Sequence, residues 1–202
     1  MLNHRQIVRA NKKITSYLGL KLLKVIILVL TGFPVLGQQQ AEGRNAVNVT
    51  LPPIALIDIE PAGQTIELAF DSPLQAGYPI VAGAASMNNE LWLNYTSAIT
   101  ANGPSRNVSA QIDAGNLPSG IRLKLIAGSY SGAGEGATGV PSGEISLSTV
   151  PQSCISGIRG AFTGDGVGNG HQLTYLLEIE DYSQLFAVPS ADLIITYTIT
   201  DN

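Results

Sequence analysis

The chain has 202 residues, 45% of them hydrophobic, 13% charged and 6% aromatic, with 22 Gly, 11 Pro, one Cys and a formal net charge of −4 at pH 7. So apolar and sparsely charged a composition excludes a disordered chain, whose scant apolar surface would not offset the entropy of ordering. A single Cys excludes both an intrachain disulfide framework and a multi-Cys zinc site, and the length suits one principal domain.

Charge divides the chain into two parts. Six of the eleven basic residues fall in the first 24 positions (Arg5, Arg9, Lys12, Lys13, Lys21, Lys24), whereas every acidic residue lies at or beyond Glu42. Behind the basic stretch comes the apolar run Val25–Leu36, then Gly37 and Gln38-Gln39-Gln40. A positive n-region, a short apolar h-region and small residues at Val35 and Gly37 predict a signal peptide over residues 1–37. The apolar run is interrupted by Pro34 and is shorter than the ~20 residues a membrane-spanning helix needs. The expected location is therefore outside the cytoplasm, secreted or at the cell surface, with no membrane span in the mature chain.

The mature chain keeps only Arg44, Arg106, Arg122, Lys124 and Arg159 against fifteen acidic residues, for a net charge of −10. Scattered cations do not make the basic stripe that phosphate contacts require, so nucleic acid and anionic membranes are excluded as expected partners.

Apolar residues recur with period 2 throughout the mature chain, and no sustained helical stripe appears after residue 40. In the N-terminal segment 38–53, Val47, Val49 and Leu51 alternate with Asn48 and Thr50, which predicts a half-buried strand over 45–51. Pro52-Pro53 ends it, because proline cannot donate to a ladder, and leaves it free to be an exchangeable strand. Residues 54–202 then form the main domain. Strands are expected at 54–59 and 65–70, where Ile66, Leu68 and Phe70 alternate with polar neighbours. Residues 71–90 lack a period and read as a long connection. Further strands are expected at 90–96, 107–112 and 121–125, the last separating three aliphatics with Arg122 and Lys124. The series ends with strands at 143–148, 154–159, 173–179 and 193–200. The expected fold is all-β, a single antiparallel β-sandwich of the immunoglobulin-like or pilin-like Greek-key kind with about nine or ten strands.

One internal echo stands out. Gly128-Ser-Tyr-Ser-Gly-Ala-Gly-Glu-Gly136 and Gly160-Ala-Phe-Thr-Gly-Asp-Gly-Val-Gly168 share the pattern Gly-x-aromatic-hydroxyl-Gly-x-Gly-x-Gly. Both read as glycine-rich loops, at 128–139 and 160–170, in which Gly supplies positive φ and the aromatic residue staples the loop base. Asp165 and Asn169 in the second loop, with Glu135 from the first, are candidate Ca²⁺ ligands if the loops meet, since hard oxygen donors in a glycine-rich turn suit that ion.

Catalytic inventory is thin. The mature chain has one Cys, Cys154, in an apolar strand context that predicts a buried inert thiol. His171 is its one histidine, placed at the start of a strand, and no Gly-x-Ser-x-Gly elbow occurs. Glu178 and Glu180 share one strand face and read, with Asp181, as solvated rather than as a glycosidase pair. Trp92 and Tyr95 are expected in the core rather than as a sugar platform. Asn48, Asn94 and Asn107 each begin an N-x-Ser/Thr acceptor pattern. No enzyme is expected.

The segments Leu91-Trp-Leu-Asn-Tyr-Thr-Ser97, Gly170-His-Gln-Leu-Thr-Tyr175 and Ile195-Thr-Tyr-Thr-Ile-Thr-Asp-Asn202, with the paired glycine loops, resemble those of uncharacterised secreted proteins of Bacteroidetes, flavobacteria especially, over most of residues 45–202. That resemblance implies a bacterial, exported origin and assigns no catalytic residue. More loosely, a short β-sandwich ending in an alternating Tyr-containing strand is similar to pilin and spore-coat-U-like subunits, which implies a surface structural or adhesion role with self-association or another surface protein as partner. The single Cys departs from the disulfide those subunits often carry. The alternative expectation is a soluble module binding Ca²⁺ or carbohydrate through loops 128–139 and 160–170.

Overall fold

A computed structural model describes residues 44–202. The signal-peptide segment 1–37 lies outside the described residues. Of the unit Met1–Val49, residues 44–49 are described and form neither helix nor strand. Among the described residues the unit Thr50–Asn202 holds nine strands: β1 Ile54–Glu60, β2 Met87–Ala98, β3 Arg106–Ala114, β4 Ile121–Ser131, β5 Glu135–Pro141, β6 Glu144–Ser146, β7 Gln152–Phe162, β8 Gly170–Ile179 and β9 Ile194–Asp201. The fold is all-β, as the alternation predicts. The strands join one antiparallel sheet in the order β6-β4-β8-β2-β7-β3-β9, with β1 paired to β2 and β5 to β7.

Alternation sets the two faces. In β4, Leu123, Leu125 and Ala127 are buried, while Arg122 and Lys124 point outward toward β8 and β6. Lys124 Nζ lies 2.9 Å from carboxylate oxygens of both Glu144 and Glu178, and Arg122 pairs with Glu180. Lys124 holds the Glu178 carboxyl below its usual range. Glu178 and Glu180 thus sit in a surface charge ladder, a cross-strand arrangement that favours register more than stability. Asp181 instead accepts from the Ser183 N–H and caps a single 3₁₀ turn.

Five strands supply most of the core: Leu91, Leu93 and Tyr95 from β2; Val108, Ala110 and Ile112 from β3; Leu123 and Leu125 from β4; Cys154, Ile155 and Ile158 from β7; Leu173 and Tyr175 from β8. Burying each large aliphatic contributes about 1.5–3 kcal/mol. Consecutive Cys154 and Ile155 are both buried because the β3–β7 register shifts between Val108↔Ile155 and Ser109↔Ser153, a bulge that re-aims successive side chains inward. The Tyr175 and Tyr197 hydroxyls bond each other, so β8 and β9, well separated in the strand order, face one another across this core.

Several sequence expectations need correction. Residues 47–51 join no strand, and Val47, Val49 and Leu51 are 74%, 89% and 75% exposed instead of half-buried. The segment keeps its own N–H groups, but Pro52 and Pro53 lack them, so no ladder runs on unbroken from it into β1. The alternation at 65–70 is real in burial, with Ile66 and Leu68 packed on the core, but no strand forms there. Backbone pairing in that region is limited to Ala69 N–H donating to the Ala85 carbonyl and the isolated Asp71–Val81 bridge. The expected loop 128–139 is largely strand, since β4 runs on to Ser131 and β5 opens at Glu135. Trp92 is not in the core: it faces outward, half-buried, opposite Glu60 on β1 and Gln172 on β8. Tyr95 alone of that pair is buried, because an odd offset puts the two on opposite faces.

Candidate functional site

The two glycine segments meet. Ser131 Oγ donates to the Gly168 carbonyl at 3.3 Å, and Tyr130 Oη donates to the Thr163 carbonyl at 3.4 Å. Asn169 joins them most directly, its Oδ1 accepting from Ala133 N–H at 3.1 Å and its Nδ2 donating to the Asp165 carbonyl at 2.7 Å. Beneath them, buried Asn94 of β2 donates Nδ2–H to the Asn169 carbonyl at 2.6 Å and accepts from Gly166 N–H at 2.8 Å. Both amide ends of Asn94 are occupied, which seals this glycosylation-type pattern inside the fold. Thr163, fully buried, continues the joint through reciprocal bonds with the Tyr95 backbone.

Under this joint lies a histidine node. His171 at the start of β8 is 0% exposed. Its Nδ1 lies 2.8 Å from the Gly128 carbonyl and its Nε2 lies 3.0 Å from Tyr95 Oη and 3.3 Å from the Thr138 carbonyl. The carbonyl at Gly128 accepts a proton carried on Nδ1, while the Tyr95 hydroxyl gives its own proton to the Thr138 carbonyl beside Nε2. Tyr95 stacks on the imidazole at a centroid distance of 5.8 Å, and Tyr130 meets it edge-on at 6.0 Å. Burial is the main cause of a lowered His171 pKa, and it raises the Tyr95 pKa. One ring therefore ties β2, β4, β5 and β8 together. Cys154, also 0% exposed, has its thiol pushed up to about 12 by burial, which makes it chemically quiet.

An open groove of about 430 Å³ runs beside the joint, lined by Leu56 and Asp58 of β1, Thr96 of β2, and Phe162, Gly164 and Asp165. Pairing places Leu56, Thr96, Phe162 and Glu135 in one transverse row across β1, β2, β7 and β5. Leu56 and Phe162 are exposed there. The groove thus joins apolar walls to the carboxylates of Asp58 and Asp165, a combination able to seat the apolar face of a small polar molecule and accept its hydroxyl protons.

Of the three candidate Ca²⁺ ligands, Asp165 borders the groove, Glu135 reaches the same corner through its pairing with Phe162, and Asn169 spends its side-chain oxygen on Ala133. Among the described residues no three His, Cys, Asp or Glu side chains form a group that could hold a metal. Sequence reasoning missed Asn94 and the Tyr95–His171 pair as joint-forming residues. The signal available was their place on a strand facing the glycine segments, which only strand pairing reveals.

No family model, curated protein or solved structure matches this chain. Among the described residues no helix is long and apolar enough to cross a membrane.

Proposed function

We propose that the chain is an exported, non-enzymatic surface subunit, pilin-like in that residues 45–51 pair with a sheet edge of a neighbouring copy or of another surface protein. The observation that carries this reading is the alternating segment Val47-Asn-Val-Thr-Leu51, which lies outside the sheet with its apolar side chains in solvent. Strands β1, β5, β6 and β9 each pair with one neighbour, so their outer edges offer unpaired backbone groups to such a segment. The n-region and h-region of residues 1–37 support export.

Light scattering on residues 38–202 across a concentration series tests it. Oligomers that grow with concentration are expected. Deleting residues 38–51 is expected to give a monomer whose thermal midpoint stays within a few degrees of the parent, since the segment contributes no ladder bonds to its own domain. A mature chain that stays monomeric, or a truncated one that unfolds, overturns the reading.

The groove beside Asp165 favours a second reading, a module that binds carbohydrate or Ca²⁺ at the loop joint. A ligand held only by the native state must raise the midpoint with concentration. On this reading Ca²⁺ or a neutral oligosaccharide stabilises the chain, and Asp165→Ala removes the increment. A midpoint indifferent to both probes rejects it.

A further inference from the structure

The end of the sheet remote from the glycine joint carries two loops with an unusual surface. β8 begins at the joint and ends at Ile179, about 30 Å away, where the second of these loops follows. The first loop, residues 72–80, is closed at its base by the antiparallel Asp71–Val81 bridge. The second follows a 3₁₀ turn at Tyr182–Gln184 and runs on to residue 191. They are fastened together where Tyr182 Oη accepts from the Ile80 N–H at 2.9 Å.

No charged residue occurs in 72–89 or in 182–191, although the chain beyond residue 37 carries a net charge of −10. In place of charge the loops, with the bridge and turn at their bases, expose Leu74 (100%), Tyr78, Val81, Tyr182, Phe186 (64%) and Val188. Exposed apolar side chains gathered on loops, with polar residues at the flanks, mark an interaction surface. We propose that this loop pair is a membrane-contacting tip that inserts Leu74 and Phe186 into the interface of a neutral, zwitterionic lipid surface.

Two observations choose that occupant. The side chains project from loop tips instead of lining a pocket, and a mixture of Tyr with Leu, Phe and Val suits the boundary between headgroups and acyl chains, where the rings bury carbon and keep their hydroxyls wet. Charge then narrows the surface. Asp71 closes the base of the first loop and Asp181 caps the turn that opens the second, so a collar of two carboxylates stands at the base of the tip. That collar repels anionic headgroups within a Debye length, and it equally repels a second copy docking tip to tip. A neutral lipid surface carries no such cost.

A local probe tests the proposal on the full chain. Cys154 is completely buried, so Phe186→Cys or Leu74→Cys offers one reactive thiol for an environment-sensitive fluorophore, and Val167→Cys places the same label at the glycine joint. With phosphatidylcholine vesicles, the labels at 186 and 74 are expected to shift to the blue and the label at 167 to stay unchanged. The shift should shrink as phosphatidylserine replaces phosphatidylcholine. Leu74→Asp with Phe186→Asp should weaken vesicle binding roughly tenfold or more per side chain as read by a label at Val81→Cys, because each loses the burial of a large apolar group. Attachment through any other segment leaves the tip labels unshifted and overturns the proposal. So does a shift that appears without vesicles and grows with protein concentration, which would instead assign the tip to a second copy.

Discussion

Replacing His171 with alanine is expected to destabilise the domain by about 3–5 kcal/mol, lowering its midpoint by roughly 10 °C, as measured by calorimetry or denaturant unfolding. The loss has two parts. Removing a fully buried ring leaves a cavity between Tyr95 and Tyr130, and it strips the Gly128 carbonyl of its donor in a place water does not reach. The same residue sets a pH dependence. Burial holds the folded-state pKa of His171 below its unfolded value of ~6.5, so the unfolded chain takes up the proton first. Stability is therefore fully present above that value and falls as pH drops below it, until the folded form also protonates. Glu178 and Asp181 have lowered pKa values, so their contributions are lost at lower pH, below the ordinary carboxylate range. His171→Gln keeps an N–H to offer Gly128 but does not titrate. Its stability should be flat through the histidine window while keeping the carboxylate limb. An unchanged slope in that variant would show that His171 does not govern it.

Much of the all-β class was legible because side-chain burial on a strand follows period 2, and Leu123-Lys-Leu125 or Leu173-Thr-Tyr175 announce their faces without any knowledge of neighbours. What periodicity does not carry is pairing. Ile66 and Leu68 alternate as cleanly as Leu123 and Leu125, yet they only lean on the core, because no neighbouring strand runs alongside to complete a ladder. Trp92 was misplaced for a related reason. Its size suggested the core, whereas its odd offset from Leu91, Leu93 and Tyr95 put it outside, and here parity outweighs hydrophobicity. The joint at Asn94, Asn169 and His171 was legible only as an echo of glycines. The residues that fasten it are separated by up to 77 positions, so their partnership exists in β2–β8 and β4–β8 register and not in local spacing.

The end of the second glycine-rich loop gives the second large effect. Gly170→Ala is expected to cost about 3 kcal/mol or more, measured as a shift in unfolding free energy. Gly170 opens β8 at φ +83°, and a Cβ built there would overlap the Leu93 carbonyl oxygen and crowd the Asn94 amide. Neither neighbour has room to retreat, because Leu93 is fully buried and Asn94 is bonded to both Asn169 and Gly166. Gly166, four residues earlier, has the same φ of +83° but faces open space. Gly166→Ala therefore pays for left-handed backbone alone, about 1–2 kcal/mol. The difference between the two variants isolates close approach from backbone strain. Equal costs would mean that the glycines of this joint serve only to turn the chain. A larger cost at Gly170 means that glycine is what lets the second loop lie against β2, which keeps Asp165 at the groove and His171 in its buried node.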